Sequence, residues 1–239
     1  MKEISRKIKR SFLSFLDSFK STEQVFSEIY KKNRWGGKKG QFCSGDGSSN
    51  IAITGPYIDK IMSLSEEFDF ARKTCVDLGC GDFQIGSKIS GLFRNYIGVD
   101  IVSNLIEYNR NQHGSEKIQF KKIDITNENL PSGNVCFLRQ VLQHLSNRQI
   151  IEIIKKLSQY EISFITEHVP STENILKYNL DKSHGSTIRL FNGSGVFLWM
   201  PPFNLPESKL TKILELKSPP IGNLKDSGLI TTYMYLPNN

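Results

Sequence analysis

Three carboxylates, Asp77, Asp82 and Asp100, stand around two glycines, Gly79 and Gly81, in a segment that otherwise reads as two short apolar strands. The residues are Val76-Asp77-Leu78-Gly79-Cys80-Gly81-Asp82, then Gly98-Val99-Asp100. An apolar strand, a Gly-x-Gly turn, a helix and an acid about 20 residues on together hold a nucleoside-bearing cofactor. Glycine lets the backbone approach a ligand without a Cβ clash, and the Asp100 carboxylate can accept both ribose hydroxyls. A dinucleotide fingerprint needs a further glycine three residues after the second; Gln84 stands there. Asp77 and Asp82 would also repel a pyrophosphate. They suit a ligand with an amino group and a sulfonium.

Ligands of open α/β sheets bind beyond the carboxyl ends of the strands, and polar residues recur at those places. Asp124 with Ile125 ends a third strand; it can meet an adenine, Asp124 accepting from the exocyclic amine, or serve as a turn or N-cap aspartate. Arg139, Gln140 and His144 follow a fourth strand. An imidazole there can remove the proton of an acceptor hydroxyl, because its pKa lies near working pH. Glu167 and His168 end a fifth strand, and Asp181, His184 and Arg189 lie in the long segment after it. Glu167 or Asp181 could be the base instead of His144, and Arg189 could hold an anionic acceptor group. Gln140, His168 and His184 are further acceptor-binding candidates. The Cys/His spacing does not make a zinc site; Glu167 with Asp181 could make a hard-cation site, but the expectation is no metal.

The residues VDLGCGD, with IGVD downstream, resemble motif I and the ribose-binding acid of class I S-adenosylmethionine-dependent methyltransferases. The resemblance implies S-adenosyl-L-methionine as cofactor, held by Asp77, Gly79, Cys80, Gly81, Asp82, Asp100 and Ile101, with Asp124, Ile125 and Arg139 beside them. FSEIYKKNRWGG, SGDGSS, RQVLQHLSN and NLDK with IRLFNGSGVFLWMPPFNLP resemble a bacterial subgroup found in capsule, O-antigen and other surface-polysaccharide biosynthesis. That resemblance runs from about residue 26 to 206 and implies a sugar, or a group attached to one, as acceptor. Relatives commonly have Arg-Asp where this chain has Arg139-Gln140, and Asp-Ile where it has Asp181-Lys182. Met200-Pro201-Pro202-Phe203 lacks the polar residue of the DNA amino-methyltransferase motif and reads as a rigid bend.

The elements that must position these residues follow from the pattern. Strands at 75–78, 96–99, 118–123, 135–138 and 162–166 alternate with helices near 83–93, 103–111 and 147–159, which predicts a doubly wound, mostly parallel α/β sheet. GVFLWM (195–200) and ITTYMYL (230–236), separated by a helix-like ESKLTKILEL, predict a closing antiparallel pair and seven strands. A helix near 54–66 precedes the core. Residues 1–50 form an N-terminal helical arm and a cofactor-covering loop, in which Trp35, Ser44 and Gly45 would meet the cofactor. Residues 51–239 form the methyltransferase domain, with an acceptor-pocket insertion at about 168–195. Ile4, Ile8, Phe12, Phe15 and Phe19 recur at helical spacing, and Ser21 with Gln24 can cap a second helix through Tyr30.

Of 31 Lys/Arg and 24 Asp/Glu, residues 1–39 hold eleven and four, so the whole net charge of +7 lies in the arm. A nucleic-acid enzyme needs a basic stripe around its site, so this weighs against a nucleic-acid partner. The basic amphipathic arm can pack on the domain or a second subunit, or touch a membrane surface through residues 1–20. No run reaches the ~18 apolar residues of a membrane span. Cys43, Cys75, Cys80 and Cys136 show no CxxC pairing and read as reduced thiols of a cytoplasmic protein. The expected activity is O-methylation of a saccharide or its phosphorylated precursor. A small-molecule N-methyltransferase, or an RNA methyltransferase using the basic arm, is the alternative.

Overall fold

The computed structural model describes residues 15–221, 224 and 226–238. Ile4, Ile8 and Phe12 lie outside them; Phe15 and Phe19 are exposed and meet edge to face. Helix α1 (Thr22–Lys31) begins at Ser21, whose hydroxyl accepts from the Gln24 amide while the Gln24 side chain returns to the Ser21 amide. This capping box is the one predicted. Val25 and Ile29 on α1 are fully buried. Glu23 accepts from Ser103 and Lys122, and Thr22 from Gln149, so the described part of the arm packs on the domain.

Helix α2 (Asp46–Ser49) is a single turn, and α3 (Ile51–Leu64) follows from the side-chain cap of Asn50. The sheet holds β1 (Thr74–Leu78), β2 (Asn95–Asp100), β3 (Ile118–Lys122), β4 (Val135–Arg139), β5 (Ile162–Val169), β6 (Leu210–Lys217) and β7 (Leu229–Tyr235). Their order is β3-β2-β1-β4-β5-β7-β6, parallel except where β7 runs against β5 and β6. This is the doubly wound sheet with an antiparallel closing pair that the alternation predicted. The chain reverses its direction of winding between β1 and β4, which opens a crevice at their carboxyl ends. Helices α4 (Gly86–Ile89), α5 (Ser103–His113) and α6 (Asn147–Leu157) cover the sheet. The buried stripe of α6, Ile150, Ile153, Ile154 and Leu157, packs with Val76, Leu78, Cys136 and Leu138. Truncating Ile153 to Ala would cost about 2–5 kcal/mol.

Three predicted elements differ. Residues 195–200 are not a strand: Val196, Phe197 and Leu198 are buried in a loop whose shape Asn179 fixes, its amide donating to the carbonyls of Phe197, Met200 and Pro201. ESKLTKILEL is not a helix beyond the turn Glu207–Lys209; it forms edge strand β6, with a register shift between Lys212 and Leu214. That bulge places Ile213 and Leu214 side by side and imitates helical spacing. The helix near 83–93 shrinks to α4 and a turn at Ser90–Leu92, since Gly86, Ser87, Ser90 and Gly91 are poor helix formers. The four cysteines are free, and no described helix is long and apolar enough to cross a membrane.

Candidate active site

The turn after β1 is tied to β2 by two bonds, the Gly79 and Cys80 amides both donating to the Val99 carbonyl at 2.8 and 2.9 Å. Gly79 has a φ of 78°, and a Cβ there would lie 2.5 Å from the Val141 side chain. Gly81 has a φ of 56°, and its Cβ would lie 2.4 Å from Ser44 Oγ. Conformation and space both exclude side chains at these two positions. Asn109, fully buried on α5, donates to the Gly81 carbonyl at 2.7 Å. Asp100 Oδ2 accepts the Gly81 amide at 3.2 Å and Oδ1 the Val102 amide at 3.1 Å. Each oxygen keeps further acceptor capacity. Burial pushes the Asp100 carboxyl up to about 6, opposed by those amide bonds.

Asp100 faces a cavity of about 480 Å³. Gly79, Cys80, Gly81, Ile101, Asp124 and Ile125 share that lining, at the ends of β1, β2 and β3. Across the switch point it is lined by Arg139, Gln140 and His144 after β4 and by His168 on β5. The loop 33–50 contributes Trp35, Ser44 and Gly45 to its lining. Ser44 is stapled to the turn: its amide donates to Asp82 Oδ2 and its Oγ accepts the Asp82 amide, each at 2.9 Å. Tyr30 Oη lies 3.1 Å from the same Oγ. Arg139 donates to the Gly47 carbonyl at 2.7 Å and lies over the Tyr57 ring.

His144 sits in a tight turn at Leu142–His144. Its Nδ1 lies 3.1 Å from the Gly185 carbonyl, and a carbonyl only accepts, so Nδ1 carries the hydrogen and Nε2 its lone pair. The Gln143 amide nitrogen is 3.4 Å from Nε2, and the Trp35 and His144 ring centroids are 5.1 Å apart. Burial, with the nearby Lys182 charge, lowers the His144 pKa to about 3. His168 is similar: Nε2 meets the Ser227 carbonyl, which leaves Nδ1 as acceptor, and burial lowers its pKa. Both imidazoles are therefore neutral hydrogen-bond acceptors.

Six predicted site residues do not line the cavity. Asp77 is buried on β1 and accepts from Tyr96 Oη at 2.7 Å; burial pushes it up to about 6. Asp82 is consumed by Ser44 and Gln84 and supports the turn from outside. Glu167, predicted as a base, accepts the Leu142 and Gln143 amides at 2.8 and 3.0 Å; burial pushes it up to about 8. Asp181 accepts the amide that starts α6, at Asn147. His184 meets the Lys20 carbonyl, and Arg189 is spent on Leu180, Leu142 and Asn147. Asp124 does line the cavity, but its oxygens accept from Thr126 and Asn127, so its side chain builds the turn.

Sequence reasoning missed Phe26, Tyr30, Arg34, Gln143, Ser186, Ile188, Phe191 and Ile221 in the lining. The i,i+4 pair Phe26 and Tyr30, one turn before Trp35, was a signal; the two rings pack on Trp35. Ser186, Ile188, Phe191 and Ile221 lie in segments without periodicity and carried none.

Residues 76–158 match the family model of a methyltransferase domain. A curated relative, the putative methyltransferase 235L of Invertebrate iridescent virus 6, is 30% identical over 118 residues, 45% of this chain and 44% of the relative. The chain thus spans less than half the length of that relative. Among solved structures, the N-methyltransferase NodS from Bradyrhizobium japonicum WM9 with S-adenosyl-L-homocysteine is similar at TM-score 0.60 and 12% identity, over 92% of this chain and 100% of that one. Human N-acetylserotonin methyltransferase with S-adenosylmethionine gives 0.53 and 11%, over 92% and 61%. The fold is that of Rossmann-like methyltransferases. The cavity residues fit the S-adenosylmethionine of such domains: a carboxylate with spare acceptor capacity, a turn that admits no Cβ, and Ile101 and Ile125 as apolar walls.

Proposed function

We propose that the chain is an S-adenosylmethionine-dependent methyltransferase acting on a hydroxyl of a saccharide, or of a phosphorylated or phosphate-linked sugar group, in capsular or surface-polysaccharide biosynthesis. The observation that carries the reading is a single cavity joining Asp100 and the glycine turn to the neutral His144 imidazole and the Trp35 ring. When bound, the cofactor supplies a methyl group made electrophilic by its sulfonium. Asp100 would accept from the ribose hydroxyls, and Ile101 and Ile125 would supply apolar contacts to the base. His144 Nε2, which the Gln143 amide meets at 3.4 Å, would exchange that long contact for the hydrogen bond of the acceptor hydroxyl and orient the hydroxyl oxygen for in-line attack, an alignment that supplies much of the rate. The hydroxyl proton becomes acidic only as the new bond forms, so a neutral imidazole suffices to take it late. Trp35 and Phe26 offer aromatic faces to the apolar side of a sugar ring. The WGG, SGDGSS and PPFNLP elements support a saccharide acceptor. Four free cysteines support a reducing compartment such as the cytoplasm.

The test is S-adenosylhomocysteine release against a panel of nucleotide-activated sugars, polysaccharide fragments, small amines and RNA. Turnover confined to the sugar members is expected. Turnover on an amine or on RNA alone would overturn the acceptor class while leaving the cofactor reading intact.

A further inference from the structure

Two buried ionisable side chains have no part in the cavity wall, yet both grip the same short piece of backbone. Glu167 is 4% exposed and Arg189 2%. Glu167 Oε1 and Oε2 accept the Leu142 and Gln143 amides, at 2.8 and 3.0 Å. Arg189 Nη1 donates to the Leu142 carbonyl at 3.1 Å. Leu142 is thus held at its N–H by a carboxyl that accepts and at its C=O by a guanidinium that donates. The other arms of Arg189 reach the Leu180 carbonyl at 3.1 Å and Asn147 Oδ1 at 2.8 Å, beyond the turn. Between these anchors stands His144, whose carbonyl accepts the Gly185 amide while its Nδ1 bonds the Gly185 carbonyl.

Burying ionisable groups is costly, and well-packed apolar residues are often as stable. A carboxyl that accepts two adjacent amides and a guanidinium that donates to the carbonyl between them do something apolar packing cannot: they fix the orientation of the turn. Loop-borne groups need such support to hold a productive geometry. We propose that Glu167 and Arg189 are a positioning pair for His144, acting through the Leu142–His144 turn and touching no substrate. The proposal rests on the reading of His144 as the group that faces the acceptor hydroxyl.

The experiment uses full-length protein with ¹⁵N-labelled histidine, saturated with S-adenosylhomocysteine, as wild type, Glu167→Gln and Arg189→Lys. Glu167→Gln sets an amide N–H₂ against a backbone N–H. Arg189→Lys keeps the charge and loses the fork. In wild type the His144 signals, assigned by their loss in His144→Ala, show one tautomer with hydrogen on Nδ1. In both variants we expect cofactor-product affinity within about twofold of wild type, mixed His144 tautomers, and kcat on the active sugar lowered about tenfold or more with KM little changed. Unchanged His144 signals and kcat in a variant that binds S-adenosylhomocysteine normally would overturn the pair. Loss of the fold in both variants would overturn it too, in favour of a purely structural role. If wild type methylates no sugar, the ring signals still decide the pair, so the two readings fail separately.

Discussion

The two sides of the cavity are built differently. On the side of β1, β2 and β3, ligand-facing groups come from one run of chain, Gly79 to Ile125, and hold themselves by short-range bonds such as Gly81 to Asp100 and Val102 to Asp100. On the side of β4 and β5, the wall is assembled from His144, His168, Ser186 and Ile221, residues far apart in the sequence, with the packed pair Phe26 and Trp35 from the N-terminal segment beside them. No single run of chain sets their geometry. His144 depends on Gly185, and through its turn on Glu167 and Arg189. A side built from a contiguous motif is fixed by that motif. A side built from distant segments can change its ligand by changing any one of them.

If this contrast holds, variants on the two sides should fail differently. The largest effect is expected for Asp100→Ala. Removing two charge-assisted bonds to ribose, each worth about 1.5–3 kcal/mol, should weaken S-adenosylhomocysteine binding by about 10² or more in calorimetry. Wild-type affinity in a folded variant would break the cofactor assignment. Ser44→Ala comes next: it removes the hydroxyl that accepts the Asp82 amide and meets Tyr30. A loss of about 1 kcal/mol in covering-loop closure should weaken cofactor binding about fivefold, read in the same titration. An unchanged Kd would detach the loop from the cofactor.

The smallest effect is in pH. Burial raises Asp100 to about 6, so below that pH the carboxyl protonates and loses half of its ribose acceptors. S-adenosylhomocysteine affinity should fall by several-fold from pH 7 to pH 5. The sign for stability is opposite. The folded state binds the proton more tightly than the unfolded chain, so ionised Asp100 destabilises, and stability should decline as pH rises from about 4 through 6. Affinity that is flat across this range would mean that the carboxylate is not the ribose ligand.

The same contrast explains what the sequence made legible. Gly79, Gly81 and Asp100 are recognisable because glycine and an acid at that spacing answer a backbone requirement written within about 20 residues. Glu167 and Arg189 were visible as unusual polar residues, but their partners, Leu142 and Asn147, lie more than twenty residues away in the chain. Glu167 therefore read as a base and Arg189 as the holder of an anionic acceptor group, when both bond backbone. Asp77 shows a finer failure: an acid beside the glycine turn reads as a ligand contact, but its carboxylate is taken by the Tyr96 hydroxyl, nineteen residues on. The closing strands were legible in number but not in place. Apolar Gly195 to Met200 reads as a strand until Asn179 is seen collecting its carbonyls, and β6 hides its alternation behind a bulge.

One cavity would then carry two separable functions, cofactor holding by Asp100 and acceptor alignment by His144. The most direct test measures S-adenosylhomocysteine affinity and kcat on the same preparation of His144→Ala. The account predicts affinity within about twofold of wild type and kcat lowered by about 10². Undiminished kcat, or a loss of affinity matching that of Asp100→Ala, would contradict it.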